Sequence, residues 1–131
     1  PEDIIHANKT ILEKSISKIE GEMGKNVKKQ GIVIIEKGSK IEDNVELIGP
    51  ILIGKNSIIK ESSKIGPNAT IGNECIISKA KIKDSIIMNN CHISISSNIV
   101  NSIISSNSEL SFKQESDEKT FLLGEGTKIF L

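Results

Sequence analysis

Aliphatic side chains recur at almost every sixth position through the middle of the chain. The spacing is six in the first part of the series, and several later steps are shortened to five. The series is Ile35, Ile41, Leu47, Ile53, Ile59, Ile65, Ile71, Ile77, Ile82, Ile87, Ile93, Ile99, Ile104 and Leu110. Helices and alternating strands lack this period, whereas a three-sided coil with six residues per side has it. The pattern predicts an all-β fold, a left-handed parallel β-helix of hexapeptide repeats with about five coils over residues 31–111.

Two other positions repeat in step with these aliphatic residues. The residue two places earlier is usually Ser, Ala or Cys, and the residue three places earlier is usually Asn, Gly or Asp. The predicted corner residues are Gly38, Asn44, Asn56, Asn68, Asp84, Asn90, Asn101 and Asn107. These residue types tolerate a positive φ, which a sharp corner between two flat sides requires. Each unit therefore contains a corner, a small inward residue, an outward residue and a large inward aliphatic residue.

The segments on either side of the repeat have a different pattern. Residues 1–24 are predicted to form an amphipathic helix that continues from a segment preceding this sequence. Its apolar positions are Ile4, Ile5, Ile11, Leu12, Ile16 and Ile19. Residues 25–30 are expected to be a polar linker. Residues 112–131 are expected to form short strands that either cap the coil or exchange with a neighbouring chain.

Residues just before the inward aliphatics point outward, and they differ between the three sides of the coil. On the third side they are Glu46, Lys64, Lys81 and Asn98, which predicts a solvated face. On the first side they include Ile34, Leu52, Ile86 and Ile103. A row of outward aliphatic residues indicates a docking surface. Either the N-terminal helix of this chain covers it, or it is a subunit interface in a homo-oligomer, for which a trimer is expected.

Composition narrows the classes of function. The chain has 17 basic and 17 acidic residues, no Trp or Tyr, and three Phe. A nucleic-acid partner is therefore not expected, since neither a basic excess nor aromatic stacking residues are present. The longest apolar runs are too short for a membrane span, and no signal peptide is visible. The expected location is the cytoplasm.

Two cysteines and one histidine are candidates for chemistry. Cys75 and Cys91 are predicted to point inward one coil apart, as two free thiols and not as a metal site, because two thiols are too few ligands. His92 is predicted to point outward, with Glu109 one coil further on. An imidazole oriented by a carboxylate is a candidate general base. The alternative is that both are ordinary surface residues.

The opening P-E-D-I-I-H-A-N-K-T-I-L resembles the segment that closes the catalytic domain of sugar-1-phosphate nucleotidyltransferases. In that family a helix containing Ala-Asn leads into a left-handed β-helix. The run Ser85–Cys91 is similar to coils of the family. The closing F-L-L-G-E-G-T-K-I resembles the final strand of archaeal-type glucose-1-phosphate thymidylyltransferases.

This resemblance implies a reaction for the parent protein. A sugar 1-phosphate and a nucleoside triphosphate give a nucleotide sugar and pyrophosphate, with Mg²⁺ bound in a catalytic domain outside this sequence. The fragment itself would bind no cofactor and would support its own catalytic domain and the oligomer. The alternative is an acetyl-CoA-dependent sugar-phosphate N-acetyltransferase domain of a bifunctional enzyme, with His92 and Glu109 as its candidate catalytic residues. No Asn-Tyr-Asp-Gly loop typical of that activity is present.

Overall fold

The chain winds into a left-handed β-helix whose three sides are parallel β-sheets. The computed structural model describes residues 2–111, 122–123 and 128–130. The first sheet contains β1 (Lys18–Ile19), β4 (Val33–Ile35), β7 (Ile51–Ile53), β10 (Ala69–Ile71), β13 (Ser85–Ile87), β16 (Ile103–Ile104) and β18 (Leu122–Leu123). The second contains β2 (Glu22–Met23), β5 (Lys40–Ile41), β8 (Ile58–Ile59), β11 (Ile76–Ser78), β14 (His92–Ser94), β17 (Glu109–Ser111) and β19 (Lys128–Phe130). The third contains β3 (Lys28–Gln30), β6 (Glu46–Ile48), β9 (Lys64–Ile65), β12 (Lys81–Lys83) and β15 (Asn98–Val100).

The inward aliphatic residues stack in three columns, as predicted. Ile53 of the first sheet lies in register with Ile35 on one side and Ile71 on the other. Ile77 and Ile93 are paired in the second sheet. Every aliphatic residue of the predicted series is at most 1% exposed. The core is therefore a stack of nearly identical layers.

The corners also follow the prediction. All eight predicted corner residues have a positive φ, from 48° at Asp84 to 79° at Gly38. Asn26, Ser62, Glu74 and Lys79 adopt the same conformation although the repeat did not identify them. Asn and Asp tolerate this region because their short side chains bond locally.

Small inward residues bond the backbone at the corner that leads into the second sheet. The hydroxyl of Ser57 donates to the carbonyl oxygen of Gly72 at 2.7 Å, and it accepts from the amide of Cys75 at 3.0 Å. The hydroxyl of Ser39, one coil earlier, makes the same two bonds. It donates to the carbonyl oxygen of Gly54 and accepts from the amide of Ser57. A small residue is needed here because the side chain must satisfy backbone groups inside a narrow core.

The predicted helix over residues 1–24 is too long, because α1 covers only Glu2–Glu13. Its end is tightened by a bond from the amide of Ser15 to the carbonyl oxygen of Leu12 at 3.0 Å. The segment that follows, including the predicted linker over residues 25–30, forms one further coil (β1, β2 and β3). The β-helix therefore has about six turns. The sequence pattern did not identify this first coil, because one of its inward positions holds Lys29, in register with Leu47. The end of the stack is open to solvent and accepts a lysine there.

The last two described strands extend the stack. β18 lies parallel to β16, and β19 lies parallel to β17, all within one chain. Residues 112–121, 124–127 and 131 lie outside the described part of the chain. Exchange of the C-terminal strands between chains, and the division of the sequence into three segments with a preceding catalytic domain, stay predictions.

Candidate functional site

Helix α1 lies against the outward side of the first sheet. Ile5 is 5% exposed and Leu12 is 3% exposed, so both face the coil. Midway along the helix, the hydroxyl of Thr70 donates to Oδ1 of Asn8 at 3.0 Å. Because Thr70 is an outward residue of β10, this bond fixes α1 over the middle of the sheet. Within the described part of the chain, no helix is long and apolar enough to cross a membrane.

The four aliphatic residues of the predicted docking face form one outward row with Thr70 at its centre. Strand register pairs Ile34 with Leu52 and Ile86 with Ile103, and Thr70 joins the two pairs. All are half-buried in the isolated chain. Beside this row, α1 leaves Ile4 59% exposed and Ile11 67% exposed. The helix thus covers part of this face. A subunit interface on the remaining part stays a prediction.

His92 and Glu109 occupy neighbouring coils of the second sheet. The two residues are directly in register between β14 and β17, and Ile76 is in register with His92 on the other side. His92 is exposed and Glu109 is half-buried. Adjacent strands are about 4.8 Å apart, so the two side chains project side by side. Their proposed catalytic role is not tested by this arrangement alone.

Cys75 and Cys91 continue the column of small inward residues in the second sheet. Both are free thiols with no solvent exposure. Their sulfurs approach carbonyl oxygens: Cys75 Sγ lies 3.0 Å from that of Met88, and Cys91 Sγ lies 3.2 Å from that of Ser105. A hydrogen bond with the Cys91 side chain, together with burial, raises the pKa of Cys75. We therefore assign the pair to the core.

The third sheet carries a groove that the sequence did not reveal. Lys64, Lys81 and Lys83 line a cavity of about 330 Å³, and Gly66 and Val100 form part of its wall. Lys64 and Lys81 were predicted to lie on a solvated face, but nothing in the repeat pattern indicates a concave surface there. The alternation in Lys81–Lys83, with one buried residue between two exposed lysines, is the signal that identifies the two outward positions.

Comparison with known proteins finds one matching family and several relatives. Residues 47–129 match the family described as the GMPPB C-terminal domain. The chain is 39% identical over 67 residues, or 50% of its length, to a probable mannose-1-phosphate guanyltransferase of Schizosaccharomyces pombe. It is 27% identical over 97% of its length to a glucose-1-phosphate thymidylyltransferase of Streptomyces antibioticus, and 37% identical over 82% to the bifunctional protein GlmU of Methanococcus aeolicus. It spans only 16%, 35% and 26% of these three relatives, respectively.

Proposed function

Because the chain belongs to the GMPPB C-terminal domain family, we propose that it is the oligomerisation and scaffold domain of a sugar-1-phosphate nucleotidyltransferase. The observation that carries this proposal is the family match, which extends across most of the coils. Two of the relatives are named as a guanyltransferase and a thymidylyltransferase that act on a sugar 1-phosphate. The parent protein would join a sugar 1-phosphate to a nucleoside triphosphate and release pyrophosphate.

The catalytic Mg²⁺ of that reaction does not fit this coil. Mg²⁺ prefers several oxygen ligands from carboxylates, phosphates and water. Across residues 2–111, no group of three or more His, Cys, Asp and Glu side chains could hold a metal ion. We therefore propose that the metal binds in a catalytic domain outside this sequence. We also propose a cytoplasmic location, which two free cysteines support.

The scaffold role is proposed to include a homotrimer. Ile4 and Ile11 share one flank of α1, and their exposure adds to the half-buried aliphatic row of the first sheet. Apolar residues grouped on a surface mark interaction sites more often than isolated ones do. We propose that this flank of α1, together with the uncovered part of the row, contacts a second copy of the chain.

Sedimentation velocity tests the oligomer. In the Ile4→Glu/Ile11→Glu double variant, two carboxylates would enter the interface, and we expect the trimer to dissociate to monomer. The matched control is His6→Glu/Thr10→Glu, which adds the same charge to exposed positions of the same helix. Trimer in both variants would exclude this flank as the interface, and a monomeric wild-type chain would exclude the oligomer.

The nucleotidyltransferase assignment is tested with the complete protein. It is incubated with Mg²⁺, each of several nucleoside triphosphates and each of several sugar 1-phosphates, and pyrophosphate release is measured. We expect release to require both substrates. A complete protein that releases none with any pair would contradict the assignment, whatever its oligomeric state.

The alternative function is acetyl transfer, and the register of His92 with Glu109 favours it. In this reaction the amine of a sugar phosphate attacks the thioester of acetyl-CoA, His92 takes the amine proton, and the CoA thiol leaves. The assay follows free CoA from acetyl-CoA and glucosamine 1-phosphate. Turnover that is lost in His92→Ala but kept in His6→Ala would establish it, and no turnover from an assembled oligomer would exclude it.

A further inference from the structure

The outward side of the third sheet concentrates positive charge at one place. Lys64 of β9 is directly in register with Lys81 of β12. Lys83 lies two residues further along β12, on the same side of the strand. Adjacent strands are about 4.8 Å apart, and residues two apart on a strand are separated by about 6.6 Å. The three lysine side chains therefore project from backbone positions that lie close together.

The surface beside these lysines is concave, and Gly66 and Val100 form part of its wall. Gly66 has a φ of +99°, and a Cβ at this position would collide with the carbonyl oxygen of Ile48 in the preceding coil. Val100 is in register with Lys83 on the next strand. The resulting groove has a volume of about 330 Å³, which is at the lower end of the range for small-molecule sites.

The carboxylate in register with these lysines is Glu46 of β6, opposite Lys64, so the protein neutralises the groove only in part. Like charges placed directly opposite on neighbouring strands are destabilising. Among the residues that the structure describes, the recorded ion pair joins Lys18 to Glu20 at 3.6 Å, and none involves a lysine of the groove. The carboxylate nearest in sequence, Asp84, accepts a hydrogen bond from Nδ2 of Asn68 at 3.2 Å. The groove is thus a concave site with an excess of cations.

We propose that this groove binds the diphosphate of a small molecule. Lys64, Lys81 and Lys83 bind the phosphate oxygens, and the side-chain amide of Asn98, in register with Lys81, donates a further hydrogen bond. A diphosphate carries more negative charge than a single phosphate and presents its oxygens over a longer span, so it gains more from three neighbouring cations. The inference goes beyond the scaffold role, since it gives the coil a ligand of its own.

Titration calorimetry with the 131-residue chain tests the proposal, with inorganic pyrophosphate and a nucleoside diphosphate as probes and orthophosphate as the comparison. The test variant is Lys81→Gln/Lys83→Gln, in which both residues are exposed and the core is unchanged. The matched control is Lys28→Gln/Lys29→Gln, which removes the same charge from an exposed strand of the same sheet. Circular dichroism is used to check that both variants keep the fold. If the double variant unfolds, the single variant Lys83→Gln replaces it.

We expect pyrophosphate to bind more tightly than orthophosphate, and the test variant to weaken pyrophosphate binding by about tenfold or more, since two charge-assisted bonds are lost. The control should bind like the wild type. A nucleoside diphosphate that binds more tightly still would identify a nucleotide as the ligand, whereas equal affinities would identify the diphosphate alone. No binding of either probe, or equal losses in test variant and control, would overturn the proposal.

Discussion

The position of α1 on the first sheet should depend on two buried side chains of the helix. We consider the double variant Ile5→Ala/Leu12→Ala, in which both side chains that face the coil are shortened. Ile5 and Leu12 are 5% and 3% exposed. The exposed positions His6 and Thr10, which the proposed contact with a second copy does not use, provide a control in the same helix. Because alanine favours helix more than isoleucine does, neither change weakens α1 through intrinsic propensity.

The expected loss of packing free energy is larger than the contribution of the hydrogen bond that also holds the helix. Replacing a buried Leu or Ile by Ala costs about 2–5 kcal/mol, so the two changes together remove about 4 kcal/mol or more. The hydrogen bond from Thr70 to Asn8 contributes only about 0.5–1.5 kcal/mol. An isolated helix as short as α1, with 12 residues, is marginal in water. We therefore expect α1 to detach and unfold while the coil keeps its structure.

Hydrogen exchange detected by mass spectrometry measures this directly. A loss of about 4 kcal/mol should speed exchange of the α1 amides by roughly a thousandfold, or to the unprotected rate if this is reached first. Amides of the central coils should keep their protection. In the control variant His6→Ala/Thr10→Ala, the α1 amides should exchange as in the wild type. Wild-type exchange in the Ile5→Ala/Leu12→Ala variant would show that the helix is held by other contacts.

Two further predictions concern the core. Ile77→Ala, at a fully buried position, should lower the free energy of unfolding by about 2–5 kcal/mol, as measured by chemical denaturation. A loss no larger than that caused by the exposed control Lys60→Ala would contradict the layered core. The raised pKa of Cys75 keeps its thiol protonated. A thiol reagent at pH 8 should therefore modify at most one cysteine in the folded chain and both cysteines after unfolding. Modification of both cysteines in the folded chain would contradict the assignment of the pair to the core.

The coils could be predicted from the sequence because their pattern is local and repeated. An inward position must be apolar in every layer, and a corner must tolerate a positive φ in every layer. Each requirement therefore appears many times along the chain. Asn56 and Asn107 were identified as corners by type and spacing alone, and their φ values are 56° and 64°. The fold followed from this redundancy, even though the chain offers almost no aromatic residues to mark a core.

Features that occur once were harder to predict. The first coil was interpreted as helix and linker, because Lys29 replaces an aliphatic residue at the open end of the stack. The groove of the third sheet is lined by Gly66, which has a positive φ of 99° but occupies no regular corner position of the repeat. Neither a terminal layer nor a single groove is repeated, so periodicity carries no information about them.

The coil separates the residues that build the fold from those available for function. Inward and corner positions are fixed by the layered core, whereas the chemistry of the outward positions can differ on each side. Here the first side is apolar and partly covered by a helix, the second places His92 beside Glu109, and the third holds a groove with three lysines. Because the sides are turned away from each other, changes on different sides should have additive effects. A loss of the oligomer, of acetyl transfer or of diphosphate binding can therefore be assigned to one side by substitutions that leave the other two intact.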